Sequence, residues 1–507
     1  MAGRARRGIA RLRDKPRLRE RAIERARYAA AQFGRMTERW TPAYSNINDL
    51  IAGASGIVRR RMQQLVRDFP PFARAVNCLV DFTVGRGIRM QSQAVLPDGT
   101  PDQKARRAIE AHYADWTERA STDGRLNFYE LQGLAHRQSC ENGEFLGAFQ
   151  QPKLPGRHPV AVRLFEPAQL TDLDARVDAG REIYQGVEYD PETGEIHGFH
   201  LDDETPGRYL QRPVRLDARD ALHAVTWYRP GQLRGISEFA PAILLAGTLR
   251  EAVEAELDGF SMASRWLAFV TRPEGYGPPL GSEERTRADG TTEHIEELQT
   301  AILEYLQPGE KVELASANRP SENWEAFVKF ILRMVATAAS VPYELLSGDY
   351  SGLSYTNLRA IRNDFGKVLA TRQGGVIAHF CDPVFRRWLN WEVLTKRLDL
   401  PGYYKDPGRY QRATWIPAGM PSVDPLREAK ADIELIGAGL RSPQQVILAR
   451  GEDPEEVLAQ QAAWREMCAQ HGLAFNPGAQ STALQNNPAA VTGEETGDRG
   501  QTLRAIK

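Results

Sequence analysis

The sequence has few cysteines and no long apolar run. Its 507 residues include four cysteines that lie far apart, with no C-x-x-C pair, which favours reduced thiols in a cytoplasmic setting over a disulfide framework. No segment approaches the roughly 18 consecutive apolar residues of a transmembrane helix. The basic N-terminus is not followed by an apolar stretch of about 7–15 residues, which argues against a secretory signal. We therefore expect a soluble protein that is made and used inside a cell.

The common catalytic motifs are also missing. The sequence has no G-x-x-x-x-G-K-[ST] phosphate loop, no H-E-x-x-H zinc motif and no G-x-S-x-G nucleophile elbow. Gly85 and Gly87 lack the third glycine of a dinucleotide-binding loop. These absences predict a protein that is not an enzyme and that carries no metal or cofactor.

Two weaker patterns keep an enzymatic alternative open. His197 and His200 have the three-residue spacing of helical metal ligands, but they lie in strand-like sequence, where they point to opposite faces. Asp172 with Asp174, and the acidic run 202–204, could hold a divalent cation as in nucleases, although such acids more often belong to turns. The alternative is therefore a metal-dependent DNA-processing enzyme that uses Asp172 and Asp174.

Charge is distributed unevenly along the chain. The totals of 65 Lys and Arg against 66 Asp and Glu exclude a bulk polycation that coats nucleic acid. Residues 1–40, however, hold thirteen basic and four acidic residues, a local charge of +9, so the rest of the chain carries -10. This asymmetry predicts a basic arm on a mildly acidic body. The arginines of the arm that we single out are Arg4, Arg6, Arg7, Arg11, Arg13 and Arg17.

Hydrophobic periodicity predicts helices first and strands next. We expect a basic amphipathic helix at 17–40, then a glycine-rich link through Gly53 and Gly56. A helix at 57–83, broken or kinked at Pro70-Pro71, comes next. Two more helices follow at 101–121 and 127–141. Five strands are predicted after them, at 145–149, 160–165, 183–189, 196–201 and 221–227.

The second half of the chain is predicted to be mainly helical. Two long helices, 237–270 and 323–340, bracket an insertion with a short helix at 295–306 and a strand at 311–314. Residues 355–397 are again helical. Asp424, Ser442 and Asp453 each precede a proline and predict three helix starts, the last completed as a capping box by Glu456. The polar tail after about residue 475 lacks periodicity, which predicts disorder.

Four strings, in this order and spacing, resemble the lambda-like portal proteins of tailed bacteriophages. The resemblance extends from about residue 20 to about residue 470 and departs at Ser354 to Arg359, where the family often has Asn-Tyr-Ser-Ser-x-Arg. The strings are VGRGI at 84–88, ENGEF at 141–145, RPGQLRGI at 229–236 and VPYELLSGDYSGLSYTNLR at 341–359. Another phage structural part, such as a head-tail adaptor or a baseplate subunit, is a further alternative.

The resemblance implies a fold of the α+β class that is mainly helical and assembles as a cyclic ring. Its wing is mixed α/β, two long stem helices flank a small α/β clip, and the C-terminal region is a helical wing and crown. The expected divisions are a basic arm at 1–56, the wing at 57–236, the first stem helix at 237–270, the clip at 271–320, the second stem helix at 321–346, the tunnel loop at 347–355, the wing and crown at 356–474, and a disordered tail at 475–507.

The resemblance also implies a function and partners. Portal proteins form rings, usually of twelve subunits, at one capsid vertex, where the terminase large subunit packages double-stranded DNA through them and the DNA is later ejected. We therefore expect a virion protein, assembled in the host cytoplasm without a membrane, that contacts the major capsid and scaffold proteins and later the head-completion, adaptor and tail proteins. The resemblance assigns no role to the basic arm. From its charge alone, the arm would bind nucleic acid or an acidic capsid or scaffold surface, or would serve only in subunit packing.

Two sets of site residues follow from the resemblance. The tunnel loop carries two glycines and a polar, aromatic tip that would face DNA: Asp349, Tyr350, Ser351 and Gly352. Charged residues at steps of three and four share a face on each stem helix, and the ring would turn these faces to the channel. These lumen candidates are Glu251, Glu254, Asp258, Glu325, Lys329 and Arg333. The other face of 323–340 is predicted to be filled by Phe327, Phe330, Ile331, Met334 and Val335.

Overall fold

The fold mixes helices with antiparallel sheets, as expected. The computed structural model describes residues 45–152, 157–177, 180–202, 213–263, 268–271, 283–286, 292–295, 311–314 and 323–473. The predicted helix at 17–40, the six arginines of the basic arm, residues 296–306 of the predicted short helix and the tail at 475–507 lie outside these residues.

The helices follow the predicted pattern with shifted ends. Their bounds are α1 (Ile47–Asp68), α2 (Pro70–Thr83), α3 (Gln103–Thr117), α4 (Phe128–Asn142), α5 (Ala240–Ala263), α6 (Trp324–Ala339), α7 (Tyr343–Ser347), α8 (Tyr355–Val376), α9 (Asp382–Leu394), α10 (Pro425–Gly437), α11 (Pro443–Ala449) and α12 (Pro454–Gln470). A π-helical turn, Ile377–Cys381, joins α8 to α9.

The predicted glycine-rich link before the helix expected at 57–83 is wrong. Gly53 and Gly56 lie inside α1, which begins after Asn46, whose side chain accepts a hydrogen bond from the Asn48 amide at 3.1 Å. The apolar face of α1 overrides the weak helix propensity of the two glycines. The predicted break at the proline pair is confirmed, because α1 ends at Phe69 and Pro70 opens α2.

The strands form small antiparallel sheets. Their bounds are β1 (Arg89–Ser92), β2 (Glu144–Gln150), β3 (Ala161–Phe165), β4 (Ala175–Arg176), β5 (Glu182–Tyr184), β6 (Val187–Tyr189), β7 (Ile196–Leu201), β8 (Val214–Asp217), β9 (Ala221–Val225), β10 (Ala268–Thr271), β11 (Glu283–Thr286), β12 (Thr292–Ile295), β13 (Lys311–Leu314) and β14 (Ala413–Ile416). The sheet orders are β3-β2-β9 and β4-β5-β6-β7-β8, and β1 pairs with β14, β10 with β13 and β11 with β12.

Two predicted elements need correction. The strand predicted at 183–189 is two strands, β5 and β6, because Gln185 (φ 51°) and Gly186 (φ 76°) form a left-handed turn. The helix predicted at 237–270 ends at Ala263. Residues 268–271 are strand β10 instead, which suits the β-branched Val270 and Thr271 and pairs with the predicted strand at 311–314.

Two apolar cores hold the helices together. Tyr113, Trp116, Phe128, Phe385 and Trp388 fill the first core, in which α3, α4 and α9 meet the β3-β2-β9 sheet, and the ring centroids of Tyr113 and Trp388 lie 4.9 Å apart. The second core joins α1, α2, α5, α6 and α8 around Met62, Phe72, Phe239, Leu249 and Val335. The four cysteines are free thiols and all are buried, as their spacing predicted: Cys78, Cys140, Cys381 and Cys468.

The three predicted starts of the C-terminal helices are confirmed. Asp424, Ser442 and Asp453 each accept hydrogen bonds from backbone amides at the first turns of α10, α11 and α12. The capping box predicted at Glu456 is wrong, because that side chain accepts a hydrogen bond from Gln460 and lies 3.5 Å from Arg89. A reciprocal capping box occurs instead between Ser442 and Gln445.

Candidate nucleic-acid interface

One flank of α6 carries the predicted charges. Glu325, Lys329 and Arg333 follow one another at four-residue steps, and Lys329 Nζ lies 2.6 Å from Glu325 Oε1. The same ammonium lies 3.8 Å from Asp349 Oδ2 in the loop after α7. The hydrogen bond with Glu325 raises the pKa of Lys329. The Arg333 guanidinium stacks 5.3 Å from the ring centroid of Tyr343. These contacts fix the positions of the charged side chains on α6, which remain accessible to solvent.

The apolar side of α6 divides into two parts, which corrects the prediction of one filled face. Ile331 and Val335 are buried against the second core. Phe327, Phe330 and Met334 are exposed, Phe330 by 58%. At 100° per residue these three lie on the flank opposite the charges, beside the buried stripe. The chain thus leaves an aromatic flank and a charged flank of α6 uncovered.

The acidic face predicted on α5 is exposed. Glu251, Glu254 and Asp258 all lie on the side facing away from the buried Ala246 and Leu249. Arg250 Nε lies 3.8 Å from Glu254 Oε1, which is an i, i+4 pair of the kind that contributes little. The α5 face is therefore acidic and open to solvent.

The predicted tunnel loop is a short, hydrogen-bonded turn. Ser347 and Tyr355 belong to α7 and α8, so the connection is 348–354. Gly348 (φ 72°) closes α7, since its N–H donates to Glu344 O at 2.9 Å in a conformation that favours glycine.

The tip of this turn is organised by Asp349. Its Oδ1 accepts hydrogen bonds from the amide (3.0 Å) and the hydroxyl (2.5 Å) of Ser351, and the hydroxyl contact lowers the pKa of Asp349. Tyr350 is 51% exposed. Gly352 (φ 73°) follows, and Ser354 then caps α8. Tyr350 therefore projects from a turn whose neighbours are fixed.

Two of the strings singled out in the sequence meet at a buried ion cluster. Glu144 is fully buried and accepts hydrogen bonds from Arg234 (2.9 Å), the Gly235 amide (2.8 Å) and Arg59 (3.1 Å). His223 Nε2 lies 3.4 Å from its second oxygen. Although burial opposes ionisation, Arg234 and His223 hold the pKa of Glu144 well below its usual range. Neither string by itself indicates that Glu144 and Arg234 pair, because they lie 90 residues apart.

The glycines of the two strings let their backbones touch. A Cβ on Gly143 would lie 2.0 Å from Ile236 O, and a Cβ on Gly235 would lie 2.3 Å from Gly143 O. The Ser237 hydroxyl then donates to Cys140 O at 2.9 Å. The cluster thereby sets the position at which the chain enters α5.

The same junction borders a cleft of about 500 Å³ between α4, β9 and α8. An Arg372–Glu238 pair, with contacts of 2.7 and 2.9 Å, lies on its wall. Burial, with the nearby Arg372 charge, lowers the pKa of His136 on the same wall to about 3. The pair ties α8 to Glu238, two residues before α5 begins, so ion pairs hold the chain in two places just before it enters α5.

Two of the metal candidates, His200 and Asp174, have other partners. His200 Nε2 lies 3.3 Å from Glu188 Oε2 within the five-stranded sheet, and Asp174 accepts a hydrogen bond from the Gln185 amide at 2.8 Å. Across the part of the chain that the structure describes, no group of three His, Cys, Asp or Glu side chains could hold a metal ion. Asp203 and Glu204 lie outside that part. None of the described helices is long and apolar enough to cross a membrane.

Comparison with known proteins identifies the family. The family described as phage portal protein, lambda family, matches residues 33–373. The portal protein of Escherichia phage N15 is 29% identical over 92% of this chain and 94% of its own. Portal protein B of Escherichia phage lambda is 22% identical with the same coverage. A probable portal protein of Halomonas phage phiHAP-1 is 26% identical over 74% of this chain and 73% of its own.

A solved structure is similar in outline. It is a chain from the neck of a native gene transfer agent particle, computed with C12 symmetry, at a TM-score of 0.45 and 15% identity over 81% of this chain and 100% of its own. The family assignment rests on the sequence match, which spans well over half of the chain. The chain belongs to the lambda family of phage portal proteins.

Proposed function

We propose that this chain is a portal protein that forms a ring of twelve subunits at one capsid vertex and conducts double-stranded DNA. Terminase would package DNA through the ring, and head-completion, adaptor and tail proteins would later dock on it. The observation that carries the proposal is the family match over residues 33–373. The ring would belong to the virion, be assembled in the host cytoplasm with capsid and scaffold proteins, and have no catalytic activity of its own.

Within this ring we assign the predicted parts to the observed elements. The wing would comprise α1 through β9, since α1 runs unbroken from Ile47 across the boundary expected at 56. The stem helices would be α5 and α6, and the strands β10 to β13 would belong to the clip between them. The helices α8 to α12 would complete the wing and crown.

The charged flank of α6 and the acidic face of α5 would line the channel. Together they present four carboxylates and two cations per subunit, a net charge of -2. Duplex DNA carries one negative charge per about 1.7 Å, and each neutralised phosphate strengthens binding through counterion release. A lumen with excess carboxylates would therefore let DNA slide rather than hold it.

The turn after α7 would contact the DNA backbone. Tyr350 and Ser351 lie at its tip, and the exposed Tyr350 ring with its phenol hydroxyl offers weak, sequence-independent contacts, whereas the Ser351 hydroxyl would have to turn from Asp349 to donate to a phosphate. Lys329 lies near Asp349, so the turn is tied electrostatically to the charged flank of α6. This position suits a role in retaining packaged DNA.

Ring formation is tested by native mass spectrometry together with electron microscopy. Twelve copies of 56.7 kDa give about 680 kDa, with cyclic symmetry and a pore wide enough for duplex DNA. A protein that stays without a ring when scaffold and capsid partners are present would overturn the proposal. Magnesium-dependent DNA cleavage that is lost in Asp172→Asn and Asp174→Asn variants would support the enzymatic alternative instead.

The DNA contact is tested separately with Tyr350→Ala and Ser351→Ala in a packaging assay. We expect rings of normal mass, but reduced retention of packaged DNA. Tyr404→Ala is the matched control, because Tyr404 is another exposed tyrosine (68%) remote in sequence from the turn. Normal packaging and retention in both tunnel-loop variants would contradict the assignment while leaving the ring intact.

A further inference from the structure

His158 lies between two carboxylates from different helices. Its Nδ1 is 2.7 Å from Glu392 Oε1 in α9, and its Nε2 is 2.9 Å from Asp115 Oδ2 in α3. Glu392 is fully buried, the histidine ring is largely buried, and the Asp115 side chain is 76% exposed. The ring therefore bridges a buried and an exposed carboxylate.

With both carboxylates ionised, the two contacts fit a doubly protonated ring. A neutral imidazole has one N–H, so its second nitrogen would direct a lone pair at a carboxylate oxygen. Only the imidazolium donates to both Glu392 and Asp115, and such charge-assisted hydrogen bonds are the stronger kind. Burial opposes the charge, but the hydrogen bonds with Glu392 and Asp115 outweigh it and raise the pKa of His158.

The other charged groups around the ring are accounted for. Arg397, in the turn after α9, lies with its Nε 3.3 Å from the second oxygen of Glu392, and its charge partly opposes that of the imidazolium. Arg157, next to the histidine, is directed elsewhere, since its guanidinium donates to Arg119 O and Ser121 O. Asp115 and Glu392 thus outnumber the single opposing cation.

The histidine belongs to the segment that leads into β3. Arg157 fastens this segment to the chain just after α3, and Trp116 Nε1 donates to Val160 O at 2.8 Å. Both contacts lie on the α3 side. His158 adds the connection to α9 through the buried carboxylate of Glu392. Loss of one proton would therefore loosen one defined side of the segment.

We propose that His158 is a pH-sensitive latch that fastens the α9 side of residues 157–160 when protonated and loosens that side when the ring loses its proton, while Arg157 and Trp116 keep the segment on α3. Because the folded-state pKa is raised, the stabilisation is complete below the unfolded value of about 6.5 and is lost as pH rises through the folded value. The latch acts within one protomer and does not depend on ring assembly.

Histidine C2–H exchange followed by mass spectrometry tests the latch on the full chain. We expect the His158 midpoint to lie above pH 6.5, with the exposed His471 as internal reference. A midpoint at or below 6.5 would overturn the proposal. Asp115→Asn should lower the midpoint, whereas Glu118→Gln, which removes another exposed acid just after α3, should not. An unchanged midpoint in Asp115→Asn would equally count against it.

Two further readouts separate a latch from a merely structural residue. In the wild type, amide exchange of the peptide containing 157–160, corrected for intrinsic rates, should be faster at pH 8 than at pH 6. The melting temperature of His158→Gln should fall furthest below that of the wild type at pH 6, and the gap should close with rising pH. A pH-independent gap, or exchange that does not change, would refute the latch. If His158→Gln does not fold, the Asp115→Asn variant supplies the same comparison.

Discussion

Glu144 and Glu325 show two opposite uses of one side chain. Glu144 is fully buried between α1, β2 and the start of α5 and is bound by two arginines and a backbone amide. Glu325 is 78% exposed on α6 and contacts one lysine. The carboxylate of Glu144 joins distant parts of the chain, whereas that of Glu325 remains accessible to a molecule that approaches from solvent.

The energetics of the two sites differ for the same reason. Removing one partner of a buried ion pair leaves an uncompensated charge and costs about 3–5 kcal/mol, whereas exposed pairs contribute about 0–1 kcal/mol. Glu144 therefore holds the fold, whereas the charges on α6 can vary with little effect on it. If α6 lines the channel as we propose, its charges would act on DNA rather than on the fold.

The largest expected effect is that of Glu144→Gln. The substitution leaves Arg234 and Arg59 without their anion, so the free energy of unfolding should fall by about 3–5 kcal/mol. Urea unfolding of the full chain measures it, with Glu325→Gln as the matched control. A loss below about 1 kcal/mol in Glu144→Gln would remove the contrast between the two carboxylates.

A second buried carboxylate, Glu188, should make the stability of the fold depend on pH. The hydrogen bond from Arg215 is the main cause that lowers the pKa of Glu188 to about 2. The lowered value means that its stabilisation is present above the unfolded pKa of about 4.3 and is lost as pH falls towards 2. That loss should be roughly 2–3 kcal/mol, since one pKa unit is worth about 1.4 kcal/mol.

The measurement is urea unfolding of the wild type and Glu188→Gln between pH 6 and pH 2. The difference in free energy of unfolding between the two proteins should be constant above about pH 5. It should shrink towards zero as the pH approaches 2. Glu195→Gln changes an exposed turn of the same sheet, and its difference in stability from the wild type should not shrink in this way. A wild-type advantage that persists unchanged at pH 2 would contradict the role given to the Glu188 charge.

Local signals were predictable from the sequence because they act within a few residues. The caps at Asp424, Ser442 and Asp453 each satisfy amides two or three positions ahead, so their spacing alone identifies the helix starts. Helical periodicity likewise located most of the described helices, but alternation missed several short strands, among them β4, β8 and β14. The error at Gly53 and Gly56 arose where tertiary packing overrides local propensity.

Long-range pairings were not predictable in this way. Glu144 and Arg234 are 90 residues apart, and no local pattern in either string indicates that their side chains are in contact. Likewise, the charged stripe on α6 was visible from its four-residue steps, but the division of its apolar side depends on which residues α5 and α2 cover. Phe330 and Val335 have the same hydrophobic character in the sequence and opposite exposure in the fold.

The smallest expected effect is that of Lys329→Ala. Its partner Glu325 is exposed and its partner Asp349 is partly exposed, so the loss of unfolding free energy should stay below about 1 kcal/mol and shrink further at high salt. Lys367→Ala is the matched control, since Lys367 is an exposed lysine that pairs with Asp364 on α8. If Lys329 lines the channel, its variant alone should alter DNA retention while both keep wild-type stability. A loss of unfolding free energy above about 2 kcal/mol would instead show that Lys329, like Glu144, stabilises the fold. That result would contradict the proposal that the charged flank of α6 lines the channel.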